Sequence, residues 1–198
     1  MPGLWLHLDS DGRTALVVGG GRVASRKATV LAEAGVCVRL VAPAVSDDLR
    51  RLEQAEKLSV REGCFAVQDL EGCFLVVAAT DDPAVNREVA TEGLRRGLLV
   101  NVADAPEEGN CRFPALLRRG VLEVAVSTGG RCPGYAAEIR NLIAGQIGEE
   151  YGELLETLAS ERDKLLTEGR NSTYNNQILR ARIMEMLARL ETCEDSVP

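Results

Sequence analysis

TALVVGGGRVASRKATVLAEAG, residues 14–35, is the stretch of sequence that decides the fold. Residues 15–18 are all aliphatic and two of the four are β-branched, which predicts a short buried strand. Three consecutive glycines, residues 19–21, follow this strand and predict a tight turn. A helical pattern then runs to Ala34, and Gly35 predicts the end of the helix, because glycine readily adopts the left-handed conformation that terminates helices.

The glycine turn carries a G-x-G-x-x-A pattern, in which Gly19, Gly21 and Ala24 are the small residues. In a dinucleotide site the first position permits the tight turn, the second lets the backbone approach a pyrophosphate, and the third lets the helix lie close to the strand. The pyrophosphate would sit on the unpaired N–H groups of the first helical turn, which contains Arg22 and Val23. We therefore predict that these five residues bind a dinucleotide cofactor. The alternative is that the glycines serve packing alone.

The second strand, predicted over residues 36–41, bears on the choice of cofactor. An acidic residue at the end of this strand would hydrogen-bond the ribose 2′-hydroxyl of NAD. Here the strand leads into LVAP, residues 40–43, and the first acids, Asp47 and Asp48, come later at a predicted helix start. The motif alone therefore leaves both NAD and NADP open.

Strands and helices alternate through the first half of the chain. Further strands are predicted over residues 58–61, 74–79 and 98–102, and helices over residues 46–56 and from about residue 83 to 97. This alternation predicts an α/β fold, a Rossmann-like doubly wound parallel sheet. Residues 4–8, LWLHL, precede it as a predicted short alternating or edge strand.

In a doubly wound sheet the ligand crevice lies beyond the carboxyl ends of the strands. Four polar residues stand at or after predicted strand ends: Thr80, Asp81, Asn101 and Asp104. We expect the first three to contact the cofactor. The alternatives are helix capping for Thr80 and Asp81 and turn formation for Asn101 and Asp104, since these residue types are common at helix starts and in loops.

The second half of the chain is predicted to hold two further regions. A strand over residues 121–127 and a helix from residue 133 to 145 or beyond are too few to fold alone, so we expect them to extend the sheet or to pair with a second subunit. The leucine spacing after residue 148 predicts two helical segments, broken at residues 169–173. The predicted divisions are residues 1–112 for the Rossmann domain, 113–147 for a small α+β dimerisation and substrate region, and 148–198 for a C-terminal helical domain.

Positive charge is concentrated between Arg112 and Arg140. This stretch holds five arginines against two glutamates, although the whole chain has a net charge of −7. Guanidinium groups bind carboxylates through paired hydrogen bonds, so the strip suggests an anionic small-molecule ligand. The alternative is a set of solvated surface arginines.

Composition argues against several other classes of function. The net charge of −7 disfavours nucleic-acid binding, which uses a basic surface. No apolar run reaches the length of a membrane span and no signal-peptide pattern is seen, so we expect a cytoplasmic protein without membrane association. Six cysteines without a C-x-x-C pair and a single histidine, His7, predict no metal site and rule out a histidine-rich ligand set.

Four blocks of sequence occur in order along residues 4–145. They are VVGGGxVAxRK from residue 17, AATDDxxxN from residue 78, NVxDAP from residue 101 and VAVSTGGxxP from residue 124. Together they resemble the precorrin-2 dehydrogenase family, whose members are single enzymes, enzymes that also act as ferrochelatases, or N-terminal parts of fused siroheme synthases. The resemblance implies NAD-dependent oxidation of precorrin-2 to sirohydrochlorin, in siroheme biosynthesis, by a homodimer.

The resemblance also assigns roles to individual residues. Asp104, the aspartate of NVxDAP, corresponds to the family's key catalytic aspartate, and the candidates for binding the polyanionic tetrapyrrole are Arg112, Thr128, Gly129 and Arg131. Serine is frequent in the family where this chain has Thr128, so a serine-specific role does not transfer. Two alternatives stay open. One is a second, ferrochelatase activity with Fe²⁺ as a further substrate; the other is a non-catalytic sensor that binds NAD and tetrapyrrole.

Overall fold

The computed structural model describes residues 3–167 and 172–194, and the chain divides into two compact units, Met1–Phe113 and Pro114–Pro198. The first unit ends one residue after the predicted division at residue 112. The further division predicted at residue 147 stays a prediction. Within the described ranges, no helix is both long and apolar enough to cross a membrane.

A five-stranded sheet, parallel throughout, forms the centre of the first unit. Its strands are β1 (Thr14–Val18), β2 (Cys37–Ala42), β3 (Leu58–Glu62), β4 (Cys73–Ala78) and β5 (Leu99–Val102). Their order across the sheet is β3-β2-β1-β4-β5. The chain thus builds one side outward from β1 and then crosses to the other side, as doubly wound nucleotide-binding folds do. The predicted fold class is confirmed.

Helices cover both faces of this sheet: α1 (Arg22–Glu33), α2 (Asp47–Gln54) and α3 (Pro83–Arg95). Leu31 of α1 and Leu49 of α2 share one buried apolar cluster with strand residues such as Val77. Val89 of α3 lies in a second cluster, together with the strand residues that alternate in sequence with those of the first cluster, such as Val76. Because both faces of β4 are buried, its sequence CFLVVA is apolar throughout and does not alternate with polar residues.

Gly35 ends helix α1, as the sequence predicts. Its φ is +74°, in the left-handed region that glycine tolerates without strain. The N–H groups of Gly35 and Val36 donate to the carbonyls of Ala32 and Leu31, both at 3.1 Å. These bonds close the helix and lead the chain directly into β2.

The strand predicted at residues 4–8 is not found, and that prediction is wrong. These residues have no regular secondary structure, and the exposed fractions of Leu4 and Trp5 are 85% and 56%. The reason is topological. A strand needs a hydrogen-bonded neighbour, and the following strand, β1, is already paired on both sides by β2 and β4.

The second unit begins with an antiparallel hairpin, β6 (Ala115–Arg119) and β7 (Leu122–Val126). The sequence pattern predicted a strand at residues 121–127 but did not predict β6. Gly120, with φ of +55°, and Val121 make the two-residue connection that reverses the chain. The hairpin is a separate two-stranded sheet, so the expectation that it extends the parallel sheet is wrong.

Helices make up the rest of the second unit: α4 (Pro133–Ala144), α5 (Glu150–Thr167) and α6 (Ser172–Glu194). The predicted break at residues 169–173 falls partly on residues 169–171, which lie outside the described residues. Helix α6 has already begun at Ser172.

Candidate cofactor and catalytic site

The segments that follow β1, β4 and β5 lie side by side at one edge of the sheet, which we call the carboxyl edge. The ladder hydrogen bonds continue to this edge: Ala79 N–H donates to Val18 O at 2.8 Å, and Ala103 N–H donates to Ala78 O at 3.0 Å. Neighbouring strands are about 4.8 Å apart, so the glycine turn and Asp104 are separated by about two strand spacings. The structure therefore brings these two predicted features to one edge.

The first two glycines of the turn are required by packing within the protein. Gly19 has φ of +127°, and a Cβ there would stand 2.2 Å from Ala79 O. A Cβ on Gly20 would stand 1.8 Å from Ala44 O. Neither position can take a side chain unless the backbone moves, because both clashes are with backbone oxygens.

Gly21 differs, because a Cβ there would meet no atom within 4 Å. The protein itself therefore leaves open the space beside this residue. Gly21 is also the N-cap of α1 and supplies no side-chain hydrogen bond to the first turn. The first-turn N–H groups, which have no intrahelical partner, are free to bind an anion at the positive end of the helix.

The other residues of the motif are arranged as a dinucleotide site requires. Arg22 and Val23 begin α1 and are exposed, whereas Ala24 is fully buried and lets the helix pack closely on the strands. Open space at Gly21 together with unsatisfied N–H groups fits the pyrophosphate of a dinucleotide. The alternative of packing alone accounts for Gly19 and Gly20, but it does not account for the open face of Gly21.

Asn86 of α3, with an exposed fraction of 1%, joins the segments that follow β4 and β5. Its Oδ1 accepts a hydrogen bond from Thr80 N–H at 3.0 Å and lies 2.7 Å from Thr80 Oγ1. Its Nδ2 donates to Thr80 O and to Asp104 Oδ1, both at 3.0 Å. All four hydrogen-bonding positions of this side chain are occupied.

Asp104 is exposed, and Asn86 holds one of its two carboxylate oxygens. Within the described part of the chain, its other oxygen, Oδ2, has no hydrogen-bond partner. A carboxylate that is oriented at one oxygen and free at the other can accept a proton from a bound molecule.

Thr80 and Asp81 stand at the start of α3. The Thr80 hydroxyl lies 3.0 Å from Asp82 O as well as near Asn86, so it is engaged within the protein. Asp82, and neither of these two, caps the helix, with its carboxylate accepting from Ala84 N–H at 2.8 Å. Asp81 is exposed at the carboxyl edge. Cofactor contacts by Thr80 and Asp81 stay predictions.

Asn101, the third residue expected to contact the cofactor, points into the protein. It lies within β5 with an exposed fraction of 4%, and its Nδ2 donates to Cys111 O at 3.0 Å. This bond ties the segment after residue 108 to the sheet. The structure gives Asn101 a packing role, and a cofactor contact by its side chain stays a prediction.

A partly buried lysine lies on the α1 side of the sheet, next to the segment that Asn101 holds. Burial, and then the neighbouring charge of Arg26, lower the pKa of Lys27 to about 8, with Cys111 opposing this shift. Burial raises the pKa of the Cys111 thiol to about 11, against the charges of Lys27 and Arg112. The Lys27 ammonium stands 4.2 Å from the centre of the Phe113 ring, a cation–π contact that offsets part of its lost hydration.

The candidate substrate residues are divided between the two units. In the first unit Arg112 is exposed, and its Nη2 donates to Pro106 O at 3.0 Å, next to the segment that carries Asp104. In the second unit Thr128, Gly129 and Arg131 form the turn between β7 and α4. Thr128 Oγ1 accepts from Cys132 N–H at 3.0 Å, and Gly129 has φ of +65°. Arg131 is exposed, and substrate contacts by these residues stay predictions.

The role of Asn86 was not predicted from the sequence. This residue stands in the AATDDxxxN block, but it received no role. A signal was present, because Asn86 precedes Val89 and Ala90 by three and four positions and therefore shares the buried face of the helix. A polar residue on a buried helix face needs partners, and here the partners are the two loops of the site.

Comparisons with known proteins show the family to which the chain belongs. Residues 6–115 match the model of a family described as putative NAD(P)-binding. The chain belongs to this family. It is 46% identical over 155 residues to a siroheme synthase of Pseudomonas entomophila, covering 78% of this chain and 34% of that protein. With a siroheme synthase of Pseudomonas aeruginosa (strain LESB58) it shares 46% identity over 144 residues, which is 73% of this chain and 31% of that protein.

A solved structure extends the likeness to the second unit. The precorrin-2 dehydrogenase SirC superimposes with a TM-score of 0.78 at 28% identity, covering 96% of this chain and 100% of that chain. The family resemblance drawn from the four blocks is therefore confirmed. The chain spans about a third of the length of the siroheme synthases that it matches.

Proposed function

We propose that this protein is an NAD-dependent dehydrogenase that oxidises precorrin-2 to sirohydrochlorin in siroheme biosynthesis. The observation that carries the proposal is the exposed Asp104 carboxylate, held by Asn86 at the same carboxyl edge as the open glycine turn. The likeness to siroheme synthases and to a precorrin-2 dehydrogenase supports this choice of substrate.

Different groups of the chain bind the cofactor and accept the proton in such a reaction. The N–H groups at the start of α1 hold the pyrophosphate, and Gly21 leaves room for it. A bound nicotinamide supplies the hydride acceptor. The substrate also loses a proton, and Asp104 Oδ2 is an acceptor at this edge that can take it. The bond from Asn86 engages Oδ1 of this exposed carboxylate and leaves Oδ2 for the proton.

Exposed cations and the turn after β7 are the proposed binding groups for the polyanionic substrate. Arg112 and Arg131 are both exposed, and guanidinium groups suit carboxylates. Gly129 and Gly130 both have positive φ, which shapes a turn with accessible backbone next to Thr128. We propose these residues as substrate contacts.

A homodimer is part of the proposal. Large apolar side chains of the second unit are exposed in the single chain, among them Tyr135, Leu142 and Leu166. Exposed apolar surface of this kind is typical of regions that another subunit covers. A cytoplasmic location stays a prediction from the sequence.

Ferrochelation by the same site is the alternative activity. It is favoured by the free oxygen of Asp104, which could accept protons from pyrrole nitrogens as Fe²⁺ enters the ring. In this reaction Fe²⁺ is a substrate. Metal insertion into sirohydrochlorin by wild type and by Asp104→Ala tests the role, and equal rates for the two proteins would exclude Asp104 from it.

Anaerobic turnover tests the proposed function. The full chain is mixed with precorrin-2 and NAD⁺, and we expect NADH and sirohydrochlorin to appear together in equal amounts. If NAD⁺ and precorrin-2 bind but neither product forms, the non-catalytic sensor is the better description. If precorrin-2 does not bind at all, the chain acts on a different substrate.

A further inference from the structure

We infer that Asn86 is a positioning residue, one that sets the orientation of the Asp104 carboxylate and ties it to the loop beside the glycine turn. This inference rests on the proposed function, because it concerns the same reaction. It adds a residue that reaches no bound molecule and acts through Asp104.

The orientation of the Asn86 amide follows from its partners. The backbone N–H of Thr80 can only donate, so the Asn86 atom 3.0 Å from it must be the oxygen. The nitrogen must then face Asp104, at 3.0 Å from Oδ1. The bond to Asp104 is therefore an N–H donated to a carboxylate, which is stronger than a bond between two neutral groups.

Burial makes this arrangement rigid. Asn86 has an exposed fraction of 1% and lies on the face of α3 that contains Val89 and Ala90. A buried amide that loses one partner is left with an unsatisfied polar group, which costs free energy. The four hydrogen bonds of Asn86 therefore stabilise one orientation of its side chain. Asp104, which is itself exposed, thus takes its orientation from a fixed buried group.

The same amide connects Asp104 to the cofactor side of the site. Thr80 follows the strand beside β1, and a Cβ on Gly19 would stand 3.1 Å from Thr80 N, which shows how closely the two segments pack. Through Thr80 and Asn86, the position of Asp104 is fixed relative to the glycine turn. A misplacement of about 1 Å at a reacting group can cost on the order of a hundredfold in rate.

The substitution Asn86→Asp separates orientation of Asp104 from simple space filling. It keeps the size of the side chain and an acceptor oxygen for Thr80 N–H, but it replaces the amide nitrogen that donates to Asp104 Oδ1 and to Thr80 O by a carboxylate oxygen. Asn110→Asp is the matched control. Asn110 also clamps backbone, accepting from Val100 N–H at 2.7 Å and donating to Leu98 O at 3.0 Å, but it does not contact Asp104.

The measurements are kcat, KM, the Kd for NAD⁺ and the melting temperature of each variant. We expect Asn86→Asp to lower kcat at least about tenfold while the Kd for NAD⁺ and KM stay within about threefold. Asn110→Asp also loses its bond to Leu98 O, but it lies at an exposed position, so it should lower the melting temperature by less and leave kcat within about twofold. If kcat falls equally in both variants, or is unchanged in Asn86→Asp, the inference is overturned.

A second background distinguishes positioning from general structural support. In an Asp104→Asn protein, Asn86→Asp should cause no further loss of kcat, because the group through which it acts is already gone. A structural role predicts the same fold-loss in both backgrounds. If Asn86→Asp does not fold, Asn86→Ser takes its place in both backgrounds, because serine replaces the amide with a smaller, uncharged polar group.

The wild-type assay distinguishes failure of the proposed function from failure of the positioning role of Asn86. If wild type forms no NADH from precorrin-2, the dehydrogenase assignment fails whatever the variants do. The crystal structure of the Asn86→Asp variant then decides the positioning role. A shift of the Asp104 carboxylate by about 1 Å or more supports it, and an unmoved carboxylate overturns it.

Discussion

The two units of this protein bury their apolar side chains to very different extents. In the first unit every strand of the sheet contributes side chains that are almost completely inaccessible. In the second unit, among the residues whose burial is described, Leu117 and Ala136 are the buried hydrophobic residues. Strand β7 of that unit has no buried residue at all.

This difference indicates how the two units are stabilised. The first unit has apolar clusters on both faces of its sheet and contains the whole predicted cofactor site, so its geometry depends on its own packing. The second unit exposes side chains such as Leu142, 69% exposed, which a single chain leaves in water. We therefore expect substitutions in the first unit to act on folding, and substitutions on the second to act on association.

The largest expected effect is on folding of the first unit. Leu40 in β2 is fully buried, so Leu40→Ala should lower the free energy of unfolding by about 2–5 kcal/mol. Leu142→Ala, the same change on α4, should alter the intrinsic stability of the chain by less than about 0.5 kcal/mol. Urea unfolding at low protein concentration measures both. Equal losses would contradict the contrast between the units.

The glycine turn gives a comparison inside the first unit. Gly19→Ala should destabilise the protein by about 2 kcal/mol or more, because φ is +127° and the new methyl meets a backbone oxygen. Gly21→Ala should cost less than about 1 kcal/mol but raise the Kd for NAD⁺ at least about tenfold, because the methyl occupies the open space at the helix start. Thermal unfolding and NAD⁺ titration of both variants check this, and unchanged affinity in Gly21→Ala would place the pyrophosphate elsewhere.

Association should respond to the second unit. If a second copy covers α4, Leu142→Glu should weaken the dimer at least about tenfold by placing a charge in an apolar contact. Leu94→Glu is the control, since Leu94 is an exposed leucine of α3 in the first unit, 42% exposed. Sedimentation velocity over a range of concentrations measures the dissociation constant. A dimer that is lost with Leu94→Glu and kept with Leu142→Glu would place the interface on the first unit and contradict this prediction.

The smallest expected effect concerns Lys27. Its pKa of about 8 lies below the ordinary value of 10.5, so the folded state disfavours the charged form. Lys27→Met should therefore stabilise the protein at pH 7, by about 1–2 kcal/mol given that the side chain is only partly buried.

The pH dependence of this gain has a definite sign. Below pH 8 the lysine is charged in both folded and unfolded states, and the cost of burial is fully present. Between pH 8 and 10.5 the folded state releases its proton first, so wild type becomes relatively more stable and the advantage of Lys27→Met shrinks. Urea unfolding at pH 7 and pH 9.5 checks this; a gain that grows with pH would contradict the assigned cause.

The sequence predicted the parts of the site that follow from local pattern and topology. The turn at residues 19–21 is a local feature, and parallel strands bring their carboxyl ends to one edge, so the sequence alone places Gly21 and Asp104 at the same edge. Asn86 could not be given a role, because its function depends on two hydrogen-bond partners, at Thr80 and Asp104, that only the folded chain brings within reach.

The failures of prediction have equally specific causes. Strand β6 has three apolar residues followed by Arg118 and Arg119, which is too short an apolar run to predict a strand, and it becomes a strand because β7 pairs with it across a two-residue connection. Residues 4–8 have strand-like alternation but find no free neighbour in the sheet. Pairing in sheets is non-local, so pattern within one segment does not determine it.

The most direct test of the account measures hydride transfer and cofactor binding in wild type and Asp104→Asn. With precorrin-2 and saturating NAD⁺ under anaerobic conditions, the account predicts that the variant binds NAD⁺ within about threefold of wild type but forms NADH at least about a hundredfold more slowly, the loss expected when a general base is removed. Equal rates of NADH formation by the two proteins would contradict it.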